Sequence, residues 1–342
     1  MDHYGCLWFS LSGRHQHKVT RDKRDKVDPK DFTIKNLNGE TVGRVPGTVN
    51  GQQFIIQNCQ DCNIFVFDHS ATISVDDCIN CRIFLGPIKT SVFVRDCSDC
   101  KLMIACQQFR TRDCKKLDTF LCCTTQPIIE ASTGMKFGCF QYHYPELEEQ
   151  FQKAGLSVYN NNWSNIHDFT PVAGETNFSL LPAEAAIDNY IPLPETEQFA
   201  SMQICIGDRS RSVVPFTVGP KRNPGLEPCL IVFFHNENIL NRVKHFIEEL
   251  RSRETGCVLV QTKEVMMNPS DAQRVFTSDN YEKAVLQGAV IGLEYSGPDC
   301  CQACQTVALT DPTGLVFVSA TGKEASTHVD NFYSFADMQM SL

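Results

Sequence analysis

The sequence has no apolar run long enough to cross a membrane and no secretory signal pattern. It also lacks an excess of cations. The 342 residues carry a formal net charge of −9 at pH 7, which argues against general nucleic-acid binding, because that binding requires clustered Lys and Arg. Eighteen cysteines without a secretory signal favour free thiols in a reducing compartment. We therefore expect an intracellular protein with two domains and connecting segments.

One short phrase recurs four times between residues 56 and 123, and it holds two cysteine positions three residues apart. The first position is occupied by Cys59, Cys78, Cys97 and Cys114, and the second by Cys62, Cys81, Cys100 and Leu117. The first three copies are evenly spaced, and the fourth arrives two residues early. A period of about 19 residues is too short for a helical hairpin repeat, so it predicts a solenoid of β coils.

The same cysteine spacing is compatible with a four-cysteine zinc site. Leu117 argues against it, because leucine cannot bind a metal but can occupy an inward-facing core position. Free cysteine behaves as a small hydrophobe that is readily buried. We therefore favour a stacked apolar core with no metal, and zinc binding is the alternative.

The remaining chain divides by composition into segments of different character. Pro145 and Gly155 bracket a helix that packs against or caps the solenoid. A proline-rich stretch then reads as an extended surface connector, and beyond it the pattern β-α-β-α-β-α-β predicts a ferredoxin-like sandwich. The expected segments are a flexible tail (1–26), a β-helix domain (27–181), a connector (182–227) and an α+β domain (228–342).

The N-terminal tail combines an apolar patch, Gly5 to Phe9, with six cations between Arg14 and Lys26. This is the pattern of a peripheral membrane anchor if Cys6 is acylated, and a basic disordered tail is the alternative. N-myristoylation requires glycine directly after the initiator methionine, and here that residue is Asp2. One acyl chain anchors only marginally, so weak membrane association is expected.

The segment from Cys106 to Arg110 has no counterpart in the other coils and lies in the coil that is two residues shorter. Arg112, by contrast, repeats Arg95. Glu130 follows Arg110 at an interval of about one coil and is expected to hold its guanidinium. Thr90 and Ser91 lie about one coil before Arg110. Such a strip could bind phosphate oxygens, or it could be a structural amide ladder with a capping ion pair.

Four stretches resemble the tubulin-folding cofactor C domain family: 68–72, 105–110, 126–130 and 163–169. The resemblance extends to the C-terminus. It implies a mostly β fold, a right-handed parallel β-helix, followed by an α+β domain resembling nucleoside diphosphate kinase. It also implies GTPase activation toward a small Arf-like GTPase in its GTP state. The expected location is cytoplasmic and peripheral, at the plasma membrane and ciliary base, in trafficking of lipidated proteins to cilia.

The resemblance also implies roles for individual residues. Arg110 would be an arginine finger oriented by Glu130, and Phe169 would pack on the partner. The GTP contacts would be Thr90, Ser91, Gln107, Gln108, Phe109 and Arg110. GTP and magnesium would belong to the partner's site, and the chain would need no cofactor of its own.

Two alternatives remain for these segments. The solenoid could bind the GTP-loaded partner as a non-catalytic effector or scaffold at membranes. The C-terminal domain could carry kinase activity, but it has no convincing phosphate-binding or catalytic set. His328 stands alone in a polar stretch, where we expect it to be solvated.

Overall fold

The computed structural model describes residue 28 and residues 30–220 and 225–340. The N-terminal tail and Cys6 lie outside the described residues, and so do the expectations made for them. The strands are β1 (Thr33–Lys35), β2 (Thr41–Arg44), β3 (Phe54–Gln57), β4 (Asn63–Val66), β5 (Ile73–Asp76), β6 (Arg82–Arg95), β7 (Lys101–Arg112), β8 (Asp118–Cys123), β9 (Ile128–Glu130), β10 (Met135–Cys139), β11 (His167–Asp168), β12 (Phe178–Leu180), β13 (Glu227–Phe233), β14 (Val258–Val265), β15 (Val290–Gly297) and β16 (Val316–Val318). The α-helices are α1 (Leu147–Ala154), α2 (Ile239–Ser252), α3 (Pro269–Phe276), α4 (Glu282–Val285), α5 (Cys300–Ala308) and α6 (Gly322–Met340).

The first twelve strands form a β-helix whose coils stack in parallel, as predicted. One ladder runs β1, β3, β5, β6, β7, β9 and β11. The other runs β2, β4, β6, β7, β8, β10 and β12. Strands β6 and β7 are long enough to bend through both ladders. The space between the ladders holds an apolar core.

Each coil turns two corners through residues in the left-handed backbone region. These residues are Asn36, Asn58, Asp77, Asp96, Asp113 and Ala131 at one corner, and Gly39, Asp61, Asn80, Asp99, Lys116 and Gly134 at the other. Asn, Asp and Gly adopt this conformation more readily than other residues. The Asn and Asp residues of the repeated phrase are therefore explained by the corners.

The cysteines of the phrase point inward and form two columns in the core. The Cys78 amide donates to Sγ of Cys97 at 3.4 Å, and the Cys114 amide donates to Oγ of Ser132 at 3.2 Å. Ser132 thus continues the first column, and Leu117 continues the second. The core role of the cysteines is confirmed. No group of described residues is arranged to hold a metal; the absence of a bound metal from the protein stays a prediction.

The short coil follows a different backbone path, as its length predicts. Between β6 and β7, Leu85 pairs with Ile104, Ile88 with Cys106, and Ser91 with Gln108. The register therefore slips twice, by one residue each time, within a few residues. Both irregularities precede Arg110.

The outer face of the second ladder is buried by a second apolar cluster. Helix α1 contributes Leu147 and Phe151, and the Phe151 ring lies edge-on to Phe140 at 6.2 Å. The predicted connector contributes Ile187, Ile191 and Phe199 to the same cluster. The connector is therefore more than a surface wrapping, because it completes this core.

The C-terminal part is an antiparallel sheet in the order β14-β15-β13-β16, with helices on both faces. Helices α2 and α5 pack on one face, and α3 and α6 on the other. The predicted ferredoxin-like arrangement is confirmed. Among the described residues, no helix is both long and apolar enough to cross a membrane.

The expectation of a solvated His328 is wrong. His328 lies on α6 and is 7% exposed, with Nδ1 3.2 Å from Oγ of Ser319 and its ring edge-on to Phe317. Burial lowers the pKa of His328. Ser326, Thr327 and Asp330 of the polar stretch face solvent, whereas His328 and Val329 lie on the buried side of the helix.

Candidate functional site

The candidate site is the outer face of the first ladder, formed by the C-terminal halves of β6 and β7 with β9 and β11. Side chains alternate along β7, so Phe109 and Thr111 are buried while Arg110 and Arg112 are exposed. The two arginines therefore lie on the same face, as predicted.

Arg110 lies between two apolar side chains on neighbouring coils. Its Cα partners are Phe93 on β6 and Ile128 on β9. The Arg110 side chain is exposed and makes no ion pair or hydrogen bond with the residues that the structure describes. Its guanidinium is therefore available to a partner, with all its donors free.

Glu130 does not pair with Arg110, contrary to the expectation from sequence. The register between β7 and β9 places Ile128 opposite Arg110 and Glu130 opposite Arg112, so the coil is two residues shorter than expected. Arg112 also lies 3.4 Å from Asp113 (Nε to Oδ2), an exposed ion pair. A role for Glu130 in orienting Arg110 within a complex stays a prediction.

Two residues before Phe93 and Arg110, the paired residues on β6 and β7 are Ser91 and Gln108. Oγ of Ser91 donates to Oε1 of Gln108 at 3.2 Å. Oγ1 of Thr90 lies 2.6 Å from Oγ1 of Thr72 and donates to the Ala71 carbonyl. Gln107 is exposed. Ser91 and Gln108 are therefore in contact, and the placing of Thr90 and Gln107 beside Arg110 stays a prediction.

Phe109 differs from the expected arrangement because its side chain is 1% exposed and packs edge-on to Phe137 in the core. Only its backbone can face a ligand. Phe169 is 66% exposed and lies next to Glu130, since its amide donates to the Ile129 carbonyl at 2.8 Å.

Sequence reasoning missed Phe93 and His167, which lie level with Arg110 on neighbouring strands of the first ladder. Phe93 is an exposed aromatic residue, and His167 is the Cα partner of Ile128. The signal for Phe93 was present in the repeat, because it precedes Arg95 by two residues just as Arg110 precedes Arg112. His167 could not be found that way, because a long excursion separates β11 from β9.

This face offers the guanidinium of Arg110 and, two residues earlier on the same strand, the amide of Gln108 with the hydroxyl of Ser91. Such donors bind phosphate oxygens, and the planar guanidinium can contact two of them at once. The thiol of Cys106 in the core between the ladders is different, because burial raises its pKa and keeps it protonated.

Comparisons with known proteins identify relatives of this chain. The family model Tubulin binding cofactor C matches residues 51–169. Protein XRP2 of Danio rerio is 56% identical over 94% of this chain and 86% of its own length, and Protein XRP2 of Homo sapiens is 53% identical over 94% and 92%. A solved structure, Tubulin Binding Cofactor C from Leishmania major, covers 44% of this chain and 92% of its own, with 23% identity and a TM-score of 0.31. The chain belongs to the XRP2 family.

Proposed function

We propose that this chain stimulates GTP hydrolysis by a small Arf-like GTPase, to which Arg110 supplies a guanidinium in trans. The observation that carries the proposal is the state of Arg110. It is an exposed cation with no partner among the described residues, and it lies two residues after the Ser91–Gln108 pair, on the coil whose register slips twice. A structural arginine on the same face looks different, since Arg95 forms a bidentate pair with Asp76.

The physical reason for such a residue is the charge of the phosphoryl-transfer transition state. Charge spreads over the oxygens of the γ-phosphoryl group, and a guanidinium supplied by a partner can accelerate the reaction by about 10³ to 10⁵. The cation is most effective when it is positioned in advance and freed from water on docking. The backbone of Arg110 is held in advance because its strand is paired on both sides, and docking would fix the side chain.

The remaining residues have supporting roles in this proposal. Gln107, Gln108 and the backbone of Phe109 contact the phosphates, and Thr90 and Ser91 contact the same nucleotide. Phe169 packs on the partner, and Glu130 orients Arg110 within the complex. GTP and magnesium belong to the partner, so the chain is an activator with no turnover and no cofactor of its own. The C-terminal domain carries no kinase activity.

We further propose that the protein works in the cytoplasm and, peripherally, at the plasma membrane and ciliary base, in trafficking of lipidated proteins to cilia. Cys6 and the basic run after it would supply a weak membrane contact. The alternative function is a non-catalytic effector that ties a GTP-loaded GTPase to membranes.

Single-turnover GTP hydrolysis by a panel of Arf-like GTPases separates the two functions. We expect the chain at saturating concentration to accelerate hydrolysis by at least one member. Arg110→Ala should remove the acceleration while binding to the partner loaded with a non-hydrolysable GTP analogue persists. Binding without any acceleration by the unmodified chain would instead support the effector.

A further inference from the structure

Three consecutive asparagines join the two domains of the chain. Asn160, Asn161 and Asn162 lie in the loop between α1 and β11 and are partly or fully buried. The loop belongs to the long excursion that separates the last coils of the solenoid. The asparagine side chains form hydrogen bonds to the solenoid on one side and to the C-terminal domain on the other.

On the side of the C-terminal domain, the loop is bound by β14. Asn160 exchanges two hydrogen bonds with Glu264, accepting from its amide at 2.8 Å and donating to its carbonyl at 3.1 Å. Lys263 donates from Nζ to Oδ1 of Asn162 at 2.6 Å. Oγ1 of Thr262 donates to the Tyr159 carbonyl at 2.6 Å. Three successive residues of one strand therefore fix the loop.

On the side of the solenoid, the same loop binds the end of β8. Oδ1 of Asn161 accepts from the Cys123 amide at 3.0 Å, and Nδ2 of Asn161 donates to the Leu121 carbonyl at 3.1 Å. Asn162 donates from its amide to the Cys123 carbonyl at 2.7 Å and from Nδ2 to the Thr124 carbonyl at 2.5 Å. Asn162 therefore contacts both domains with one side chain.

The end of β8 in turn holds the short coil of the candidate site. The Thr124 amide donates to the Cys106 carbonyl at 3.1 Å, and the Thr125 amide and hydroxyl donate to the Gln107 carbonyl at 2.9 and 3.1 Å. A continuous series of hydrogen bonds thus runs from Lys263 through Asn162 and residues 123–125 to Gln107.

Lys263 is the charged end of this series and is 1% exposed at its side chain. Its second partner is Oδ1 of Asp337 on α6, at 3.1 Å. Burial lowers the pKa of Lys263, and Asp337 opposes that change. A buried ammonium is costly unless its donors are bonded, so Lys263 fixes the position of the Asn162 amide group.

We propose that Lys263 is a positioning residue through which the C-terminal domain holds the short coil, and with it Gln107 and Arg110, in the geometry that stimulates hydrolysis. This inference rests on the proposed function. Displacement of a positioned group by about an ångström can cost two orders of magnitude in rate without removing binding. The link should therefore govern the maximal rate more than the affinity for the partner.

The test uses the full chain with two variants that break the link at different points. Lys263→Met removes the ammonium at similar volume, and Asn162→Asp keeps an acceptor for Lys263 but loses the donor to Thr124. We expect both to lower the maximal single-turnover rate by about tenfold, with half-maximal stimulation at an unchanged concentration. The matched control is Arg242→Met, which removes another buried cation, one that pairs with Asp311 inside the C-terminal domain.

A second readout does not depend on the GTPase. Amide hydrogen exchange at Thr124 and Thr125 should be faster in Lys263→Met and unchanged in Arg242→Met, while the Ser98 amide, which donates to the Cys78 carbonyl outside this series, stays protected in both. Full maximal rates for both link variants, alongside a loss with Arg110→Ala, would overturn this inference and leave the proposed function standing. Full stimulation by Arg110→Ala would end the proposed function; unchanged exchange at Thr124 and Thr125 would then overturn the link as well.

Discussion

At the scale of single residues, Arg110 and Arg112 give the sharpest contrast. Arg110→Ala should lower stimulated hydrolysis by about two orders of magnitude or more. Arg110→Lys should restore little of it, because an ammonium lacks the planar fork that contacts two phosphate oxygens. Arg112→Ala should act through stability or docking, since its Cα partners are Arg95 and Glu130. Single-turnover hydrolysis at saturating activator measures all three.

The control is binding of each variant to the partner loaded with a non-hydrolysable GTP analogue. Arg110→Ala should bind nearly as well as the unmodified chain. If Arg112→Ala lost as much maximal rate as Arg110→Ala at equal binding, the assignment of the finger to Arg110 alone would be wrong.

Sequence reasoning selected the candidate face but did not predict the pairing of its residues. Arg110 stood out because it departs from the repeat, whereas Glu130 was placed opposite it by taking the 20 residues from Arg110 to Glu130 as one coil. The actual coil is two residues shorter, and this difference is enough to move Glu130 to Arg112. Phe109 was predicted to line the phosphates, although side-chain alternation from an exposed Arg110 already places it inside.

At the scale of elements, the corners of the coils carry a test of backbone strain. Lys116 has φ of 54°, in the column where Gly134 stands on the next coil. A residue other than glycine is destabilised by about 1–2 kcal/mol in this conformation. Glycine avoids that cost, but its greater flexibility in the unfolded state cancels part of the stability gained. Lys116→Gly should therefore stabilise the protein by about 0.5 kcal/mol, measured by urea unfolding. Its surface contact with Asp99 is long, at 3.9 Å, and contributes little.

Lys115→Gly is the matched control, because Lys115 precedes Lys116 in the same corner and is not among the residues with positive φ. It should destabilise by about 0.5–1 kcal/mol. Equal destabilisation by both substitutions would mean that the corner is not strained at Lys116.

The cysteine columns give a second test at this scale. We predict that the protein purified without added metal contains no stoichiometric zinc, and that chelation leaves its unfolding temperature unchanged. The reason is that the thiols are occupied by packing and by bonds to carbonyls, such as Cys100 Sγ to the Cys78 carbonyl at 3.4 Å. Elemental analysis and thermal unfolding with a chelator measure this. Zinc that is lost together with folding would support the metal site instead.

The elements themselves could largely be predicted from sequence. Period, corner residues and apolar alternation each have a local physical cause, so they are visible in a single coil. The packing of the connector and of α6 was missed for the opposite reason. Ile187 and His328 are buried by residues that are distant in the chain, and no local pattern records such contacts.

At the scale of the whole molecule, membrane association is predicted to be weak and to depend on Cys6 with the cations between Arg14 and Lys26. A single acyl chain gives marginal binding, and basic residues add a salt-sensitive attraction to anionic lipids. Cys6→Ser should move the protein to the soluble fraction on cell fractionation, and high salt should do so in part. Full membrane retention after deletion of residues 1–26 would place the anchor elsewhere.

The domain junction makes the stability of the molecule depend on pH through Lys263. Its folded pKa is lowered by burial from an unfolded value of 10.5, so the folded state binds fewer protons than the unfolded state in the window below 10.5. The contribution of Lys263 to the free energy of unfolding is therefore present above the unfolded pKa and is lost as pH falls through the folded pKa. Relative to Lys263→Met, the unmodified chain should gain stability between pH 7 and pH 10 in urea unfolding.

The difference between the unmodified chain and Arg242→Met should stay constant over that range, because arginine remains charged throughout. A difference from Lys263→Met that is equally independent of pH would show that Lys263 titrates normally, and that its ammonium is not held out of water at the junction.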